Sequence, residues 1–166
     1  KAVFGVVRGI DKLGLGSAFA GKLIGRMPKL IDKMERTLDG YTPTEQDVFV
    51  CAYPKGGNNW MMQLAVQTGY RGGAEFDHIH ELAAWPQFAL QELIVQMGSA
   101  QHGSSPTGLR VIKNQMTRRA TPFNDRARYL AVIRDPKDVL VSIYYFANGI
   151  IGGLVDAHFS LDQLCD

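Results

Sequence analysis

The sequence predicts an α/β fold in which a central parallel sheet lies between two layers of helices. Three short segments, at residues 47–53, 109–113 and 129–134, are rich in the apolar, β-branched and aromatic side chains that buried strands contain. Longer amphipathic segments lie between and after them. Strands that alternate with helices are joined by right-handed crossovers, which make the strands parallel and place helices on the faces of the sheet.

Composition and charge narrow the class of protein. The 166 residues are 46% apolar and 20% charged, which is typical of a folded domain and not of a disordered, collagenous or coiled-coil chain. The net charge of +2 is too small for a polyanion-binding protein, so we expect no nucleic-acid partner. No apolar stretch approaches the roughly 20 residues that cross a bilayer, so we expect no transmembrane span. Cys51 and Cys165 form no disulfide pattern, which favours the cytoplasm.

Residues 1–40 are predicted to form a basic amphipathic segment that precedes an α/β domain at residues 41–166. The segment contains eight Lys or Arg and four Asp or Glu residues. Residues 27–38 show the four-residue spacing of apolar side chains that is typical of a helix. This helix either packs on the domain or makes a peripheral contact with a membrane surface or a protein partner.

The helices of the α/β domain are predicted from the segments that join the strands. The first strand is ended by Pro54, and residues 58–68 form the helix that follows it. A second helix is predicted over residues 86–97, where apolar side chains form a stripe at helical spacing. After the third strand, residues 137–146 form the last predicted helix.

The ligand site is predicted at the carboxyl ends of the strands, where parallel sheets bind their ligands. The first strand ends in a turn that contains Lys55, Gly56 and Gly57. Glycines let the backbone approach a ligand closely, the start of the next helix offers N–H groups to an anion, and the lysine adds a full charge. This turn is either a phosphate site or an ordinary glycine turn. Because the lysine precedes the glycines, the turn is not the phosphate loop of a nucleoside triphosphatase.

A second turn, at the end of the third strand, repeats these features. Arg134 ends the strand, and Ser142 lies within two turns of the helix that follows. A guanidinium and a hydroxyl together suit a second phosphate, so the two turns predict a nucleotide that is phosphorylated at two places. The alternative is an ion pair between Arg134 and Asp138 that closes the start of the helix.

Four histidines are candidates for metal or acid–base chemistry. His78 and His80 alternate in a predicted exposed loop, and this spacing is weak support for a metal site. We therefore expect a surface or substrate-loop role for this pair, and no metal. His102, in a Gly/Ser-rich loop, and His158 are expected to be solvated.

Together, the two turns resemble motifs of the cytosolic-type sulfotransferases, which use 3′-phosphoadenosine 5′-phosphosulfate (PAPS). Where that family has Tyr-Pro-Lys-Ser-Gly-Thr-Thr-Trp, this chain has Tyr53-Pro54-Lys55-Gly56-Gly57-Asn58-Asn59-Trp60. The second family motif, approximately Arg-Asn/Asp-Pro-Lys-Asp-Val-x-Val-Ser-x-Tyr-x-Phe, matches residues 134–146. The resemblance implies a partial P-loop-like sulfotransferase fold, of which residues 41–166 form the N-terminal portion.

The resemblance also implies a donor site that binds PAPS or its product, adenosine 3′,5′-bisphosphate. Trp60 would pack near adenine, and Arg134 with Ser142 would hold the 3′-phosphate. The 5′-phosphosulfate would be held by the loop residues Lys55, Gly56, Gly57, Asn58 and Asn59. The reaction implied is transfer of the sulfonate to a hydroxyl or amine of a small-molecule acceptor.

The chain departs from the family pattern in both parts of this site. Gly56, Asn58 and Asn59 replace residues with hydroxyl groups, which weakens the expected grip on phosphate. At the middle strand end the family has Lys-Thr-His-Leu-Pro, with the histidine as general base. Here Lys113 remains but Gln115 replaces the histidine, and a glutamine amide does not accept a proton near neutral pH.

These departures leave two functions open. In the first, the chain is an active sulfotransferase in which Lys55, Lys113 and Gln115 form the catalytic set. In the second, it is an inactive sulfotransferase-like scaffold or subunit that acts with another protein or as a homo-oligomer. The glutamine at position 115 is the residue that separates the two.

Overall fold

The computed structural model describes residues 27–88, 90–152 and 160, and the chain divides into two units. The first unit is residues 32–134 and contains the sheet; the second is residues 1–31 with residues 135–166. Most of the predicted basic segment, together with His158 and Cys165, lies outside the described residues. No helix in the described ranges has both the length and the hydropathy needed to cross a bilayer.

Four parallel strands form the sheet in the order β2-β3-β1-β4, which confirms the predicted α/β fold. Their bounds are β1 Asp47–Cys51, β2 Ala83–Ala84, β3 Arg110–Asn114 and β4 Arg128–Ala131. At the end of the central strand, Cys51 pairs with Asn114 on one side and with Ala131 on the other. The loops after β1, β3 and β4 therefore leave the same edge of the sheet, as the predicted site requires.

The described residues form three α-helices and several short turns of other helix types. The α-helices are α1 Met27–Glu35, α2 Asn58–Gly69 and α3 Pro136–Phe146, and α3 continues as a π-helical stretch, Ala147–Gly152. Single 3-10 turns are formed by Arg36–Leu38, Ile79–Glu81 and Gln91–Leu93. The predicted helices at residues 58–68 and 137–146 are confirmed. The predicted helix at 27–38 changes to a 3-10 turn after Glu35.

The core lies on both faces of the sheet because side chains alternate along each strand. Val48 and Val50 of β1 face α2 and pack with its buried Met62. Phe49 faces the opposite side, where it packs with Leu38 and stacks on Tyr129 at 5.3 Å between ring centroids. Burial of each such side chain stabilises the fold by about 1.5–3 kcal/mol.

A buried carboxylate holds the other end of the sheet together. Asp47 at the start of β1 is fully buried and forms an ion pair of 2.7 Å with Arg110 at the start of β3. It also accepts hydrogen bonds from the Tyr41 hydroxyl at 2.7 Å and the Thr44 N–H at 2.8 Å. Burial, the hydrogen bond to Asp47 and its negative charge raise the pKa of the Tyr41 hydroxyl. The network holds the starts of β1 and β3 together.

The predicted helix at residues 86–97 is wrong. Of the described residues in this stretch, only Gln91–Leu93 are helical, as a single 3-10 turn. The Gln91 side-chain amide donates to the backbone oxygens of Trp85, Pro86 and Phe88, and so takes acceptors that a helix would have used. The Val95 N–H is also taken, because it donates to the backbone oxygen of His80 at 2.8 Å.

Two strand predictions need correction. β1 ends at Cys51 and β4 at Ala131, two and three residues earlier than predicted, although the next residues, Ala52 and Val132, each donate a backbone hydrogen bond to a neighbouring strand. Beyond β4, Ile133 is 94% exposed, which a buried strand would not allow. The sequence also missed β2, whose two residues are too few to give a periodic pattern.

Candidate active site

The loop after β1 is a tight turn that requires both of its glycines. The Gly56 N–H donates to the Tyr53 backbone oxygen at 2.9 Å, and Lys55 and Gly57 have left-handed φ angles of 63° and 113°. A Cβ at position 56 would lie 2.9 Å from that same oxygen, which is closer than real contacts allow. A Cβ at position 57 would lie 3.3 Å from Cγ1 of Val132. Local packing thus accounts for the glycine at position 56, where the family has serine.

The start of α2 is held against the end of β1 by Asn58. Its side-chain amide donates to the backbone oxygens of Ala52 at 3.2 Å and Tyr53 at 3.0 Å. Both amide hydrogens are therefore used within the loop, and the backbone N–H is the donor that Asn58 has left for an anion. Gly57 caps the helix, and in the described part of the chain no side chain caps these first N–H groups. The helix start is thus open to an anion.

Two predicted binding residues are in direct contact. Nη1 of Arg134, just beyond β4, donates to the backbone oxygen of Lys55 at 3.1 Å. The guanidinium is at the surface and Lys55 is half-buried. The structure therefore brings together the first turn and the arginine that begins the second. Ser142 lies on α3, in the other unit, and its role stays a prediction.

A cavity of about 470 Å³ joins the start of α2 to the end of β3. Asn59 lines it from the first turn of α2 and Lys113 from β3, so two predicted site residues share this space. Aromatic and aliphatic side chains provide most of the remaining wall. Those residues are Ile79, Trp85, Phe88, Leu93 and Ile94, together with the imidazoles of His78 and His80. Trp60, by contrast, is 80% exposed at the surface of α2.

Lys113 is a buried cation in this cavity. Its residue is 6% exposed, and Nζ lies 3.4 Å from the centroid of the Trp85 ring, a cation–π contact that replaces part of its hydration. Burial lowers the pKa of Lys113 to about 8. Among the described residues no carboxylate pairs with it. An anionic group that enters the cavity would therefore gain a strong, unshared partner.

Gln115, at the position where the family has its general base, has no group that accepts a proton, and its neighbour Asn114 has a structural role. Gln115 follows β3 directly, is half-buried, and makes no hydrogen bond to the rest of the described chain. Asn114 is fully buried: its amide donates to Oγ1 of Thr121 at 2.6 Å, and its oxygen accepts from the Met116 N–H at 3.2 Å. These bonds fix the direction in which the chain leaves β3.

The structure changes the interpretation of the histidines. His102 is buried and not solvated, because Nε2 donates to the Val111 oxygen at 2.9 Å and Nδ1 accepts from the Gly98 N–H at 3.2 Å. His78 is exposed as expected, whereas His80 is 6% exposed and lines the cavity. Within the described ranges, no group of three or more His, Cys, Asp or Glu side chains is arranged to hold a metal.

Comparison with known proteins decides the family. Residues 45–160 match the model of the sulfotransferase domain. The chain belongs to the sulfotransferase family. Among curated relatives, it is 25% identical over 118 residues to human sulfotransferase 2A1, which covers 69% of this chain and 40% of that protein. It is 27% identical over 129 residues to an amine sulfotransferase of Oryctolagus cuniculus, covering 74% of this chain and 40% of the relative.

A third relative extends the match and shows its limit. The chain is 25% identical over 133 residues to a 3-beta-hydroxysteroid sulfotransferase of Cavia porcellus, with 76% of this chain and 42% of that protein covered. The match thus spans less than half the length of each of these sulfotransferases. No solved structure gave a significant match.

Proposed function

We propose that this chain provides the donor-nucleotide site of a PAPS-dependent sulfotransferase that transfers the sulfonate to a hydroxyl or amine acceptor. The observation that carries the proposal is the 3.1 Å hydrogen bond from Arg134 to Lys55. It joins the two turns that match the two nucleotide motifs of the family. Two neighbouring turns that each carry a cation suit a nucleotide with phosphates at both ends of its ribose.

The first turn supports a role in binding the 5′-phosphosulfate. Lys55 provides a charge, and the backbone N–H groups of Gly57, Asn58 and Asn59 lie at the start of α2, where no side chain of the described residues caps them. A hydrogen bond to an ionised group contributes roughly 1.5–3 kcal/mol, so a few such donors are enough for firm binding. The exposed Trp60 ring is available to stack on adenine.

The second turn supports a role in binding the 3′-phosphate. A planar guanidinium such as that of Arg134 can donate two parallel hydrogen bonds to a phosphate, and Nη1 of Arg134 contacts the first turn. The role of Ser142, which lies in the other unit, stays the prediction that the family motif makes. In this proposal the first motif binds the 5′ end of the nucleotide and the second motif binds the 3′-phosphate.

The cavity beside Lys113 suits the acceptor. Its wall is mainly aromatic and aliphatic, with one buried ammonium, which favours a small apolar molecule that carries a single hydroxyl or amine. In an in-line transfer, negative charge develops on the leaving phosphate oxygen of the donor. Lys55 and Lys113 would stabilise that charge, by analogy with the cations that serve phosphoryl transfer.

A second candidate function is that of a non-catalytic relative that binds the nucleotide or a protein partner without transfer. Gln115 favours it, since the family places a proton acceptor at this point and the amide cannot replace one. The two candidates differ in turnover and not in nucleotide binding. A sulfonate-transfer assay on the full-length protein separates them.

Retention on immobilised adenosine 3′,5′-bisphosphate tests the donor site itself. The wild-type protein should be retained and the Arg134→Ala variant should not. Arg126→Ala removes another exposed arginine of the same unit and should leave retention unchanged. Equal retention of wild type and Arg134→Ala would overturn the assignment of this site.

A further inference from the structure

One histidine in the cavity is set up to accept a proton. Nδ1 of His80 lies 2.8 Å from the backbone oxygen of Ala83. A carbonyl oxygen only accepts, so Nδ1 carries the hydrogen and Nε2 holds the lone pair. In the described part of the chain, Nε2 has no hydrogen-bond partner. The imidazole is thus fixed in the tautomer that a general base needs.

The groups around His80 keep it neutral. The Trp85 ring stacks on it at 5.3 Å, and the same indole carries the Lys113 ammonium on its ring. Burial is the main cause that lowers the pKa of His80, and the charges of Lys113 and His78 act in the same direction. The bond to Ala83 opposes them but does not reverse the shift. Glu81, in the same turn, accepts from the His78 N–H through its side chain.

We propose that His80 is the general base of this sulfotransferase, in place of the histidine that Gln115 has replaced. This inference rests on the proposed function. As the acceptor oxygen attacks sulfur, its O–H proton passes to Nε2 of His80 and a new S–O bond forms. The bond between sulfur and the bridging phosphate oxygen breaks, and its electron pair leaves with adenosine 3′,5′-bisphosphate, beside Lys113.

The cavity places His80 where it can contact the hydroxyl of a bound acceptor. His80 and Lys113 line one cavity of about 470 Å³, which Asn59 lines from the first turn of α2. A small acceptor in this cavity therefore contacts the base, the buried cation and the predicted phosphosulfate end of the donor together. Other candidates are less suitable: both ring nitrogens of His102 are already used, and His78 is exposed.

The variant His80→Asn tests the proposal with least damage to the fold. An asparagine amide retains a donor near the Ala83 oxygen but has no group that takes up a proton. We expect kcat to fall by about 10²- to 10⁴-fold while adenosine 3′,5′-bisphosphate binds as tightly as before. The double variant His80→Asn with Gln115→His should regain activity, because it returns a base to the family position.

The matched control is His102→Gln, which also removes a buried imidazole with a carbonyl partner. It should retain activity, and both variants should be compared by thermal melting. A His80→Asn enzyme with wild-type kcat would overturn the proposal. A wild-type protein that transfers no sulfonate would instead overturn the proposed activity, and one that fails to bind the nucleotide would overturn the donor site.

The wild-type pH profile tests the base without any substitution. For a base whose pKa is lowered, kcat/KM should be constant near neutral pH and fall only below the ordinary histidine value of about 6.5. The fall follows protonation of His80 in the free enzyme. A profile without an acid limb below pH 6.5 would count against the proposal even if His80→Asn did not fold.

Discussion

The guanidinium of Arg134 donates a hydrogen bond of 3.1 Å to the backbone oxygen of Lys55. These residues are 79 positions apart in the chain. They meet because β1 and β4 are parallel neighbours whose ends lie at one level of the sheet. The same contact joins the turn after β1 to the arginine that begins the second family motif.

Because Trp60 is exposed, its replacement should weaken nucleotide binding without lowering the stability of the fold. Because the residue is 80% exposed, Trp60→Ala should leave the free energy of unfolding within about 0.5 kcal/mol of wild type. Its affinity for adenosine 3′,5′-bisphosphate should fall by the value of one base stack, about 1–3 kcal/mol. Calorimetric titration and urea unfolding measure the two quantities. Trp60→Phe keeps a ring and should lose less affinity.

The buried ammonium of Lys113 predicts that nucleotide binding weakens in alkaline solution. Burial lowers the pKa of Lys113 to about 8, and a nearby phosphosulfate or phosphate raises it again because it stabilises the charged form. Affinity should therefore be constant below pH 8 and fall by up to about tenfold per pH unit above it, until the pKa of the complex is reached.

Titrations of adenosine 3′,5′-bisphosphate between pH 7 and 9.5 measure this effect. Lys113→Met should bind more weakly at pH 7 and show a smaller dependence on pH. An affinity that stays level through pH 9.5 in the wild type would show that Lys113 does not contact the ligand's charge.

The turn after β1 predicts that Gly56 resists any side chain. In Gly56→Ala the new Cβ would lie 2.9 Å from the backbone oxygen of Tyr53, so the turn has to open. We expect a loss of about 1–3 kcal/mol in the free energy of unfolding, together with weaker nucleotide binding. Gly73→Ala is the control, because its Cβ would meet nothing nearer than 3.5 Å. If both variants unfold alike in urea, the turn is not as constrained as described.

Removal of the Asp47 carboxylate should lower the stability of the fold strongly and leave the candidate active site unchanged. Asp47→Ala removes the fully buried partner of the Arg110 guanidinium, whose side chain is 16% exposed, and also the acceptor of the Tyr41 hydroxyl, which together costs about 3–5 kcal/mol. The exposed pair of Asp32 and Arg36 provides the comparison, and Asp32→Ala should change stability by less than about 0.5 kcal/mol. Urea unfolding at pH 7 measures both. A loss below 1 kcal/mol for Asp47→Ala would contradict the role of this ion pair.

Much of the fold could be predicted because its elements have strong local patterns. β1 contains an apolar run at residues 48–51, β3 contains the β-branched pair Val111 and Ile112, and α2 and α3 begin directly after turns that Pro and Gly residues mark. The stretch at residues 86–97 could not be predicted this way. There the hydrogen bonds of the Gln91 side chain, and the hydrogen bond from the Val95 N–H to His80, replace helical hydrogen bonds. The spacing of apolar residues does not reveal such bonds.

The candidate site was predicted in part for the same reason. Lys55, Lys113 and Arg134 lie at strand ends, which a sequence marks clearly. His80 and Trp85 were not assigned to the site because they reach the cavity through a loop and the two-residue strand β2. The alternation of His78 and His80 was the one available signal, and whether either ring was buried could be known only from the tertiary structure.

Titration calorimetry with two nucleotides tests the central claim most directly. Arg134→Gln removes the charge but keeps an amide donor near the Lys55 oxygen. If Arg134 holds the 3′-phosphate, this variant should bind adenosine 3′,5′-bisphosphate about 10- to 150-fold more weakly and adenosine 5′-monophosphate as well as the wild type does. An equal loss for both nucleotides, or no loss for either, would contradict the claim that this turn binds the 3′-phosphate.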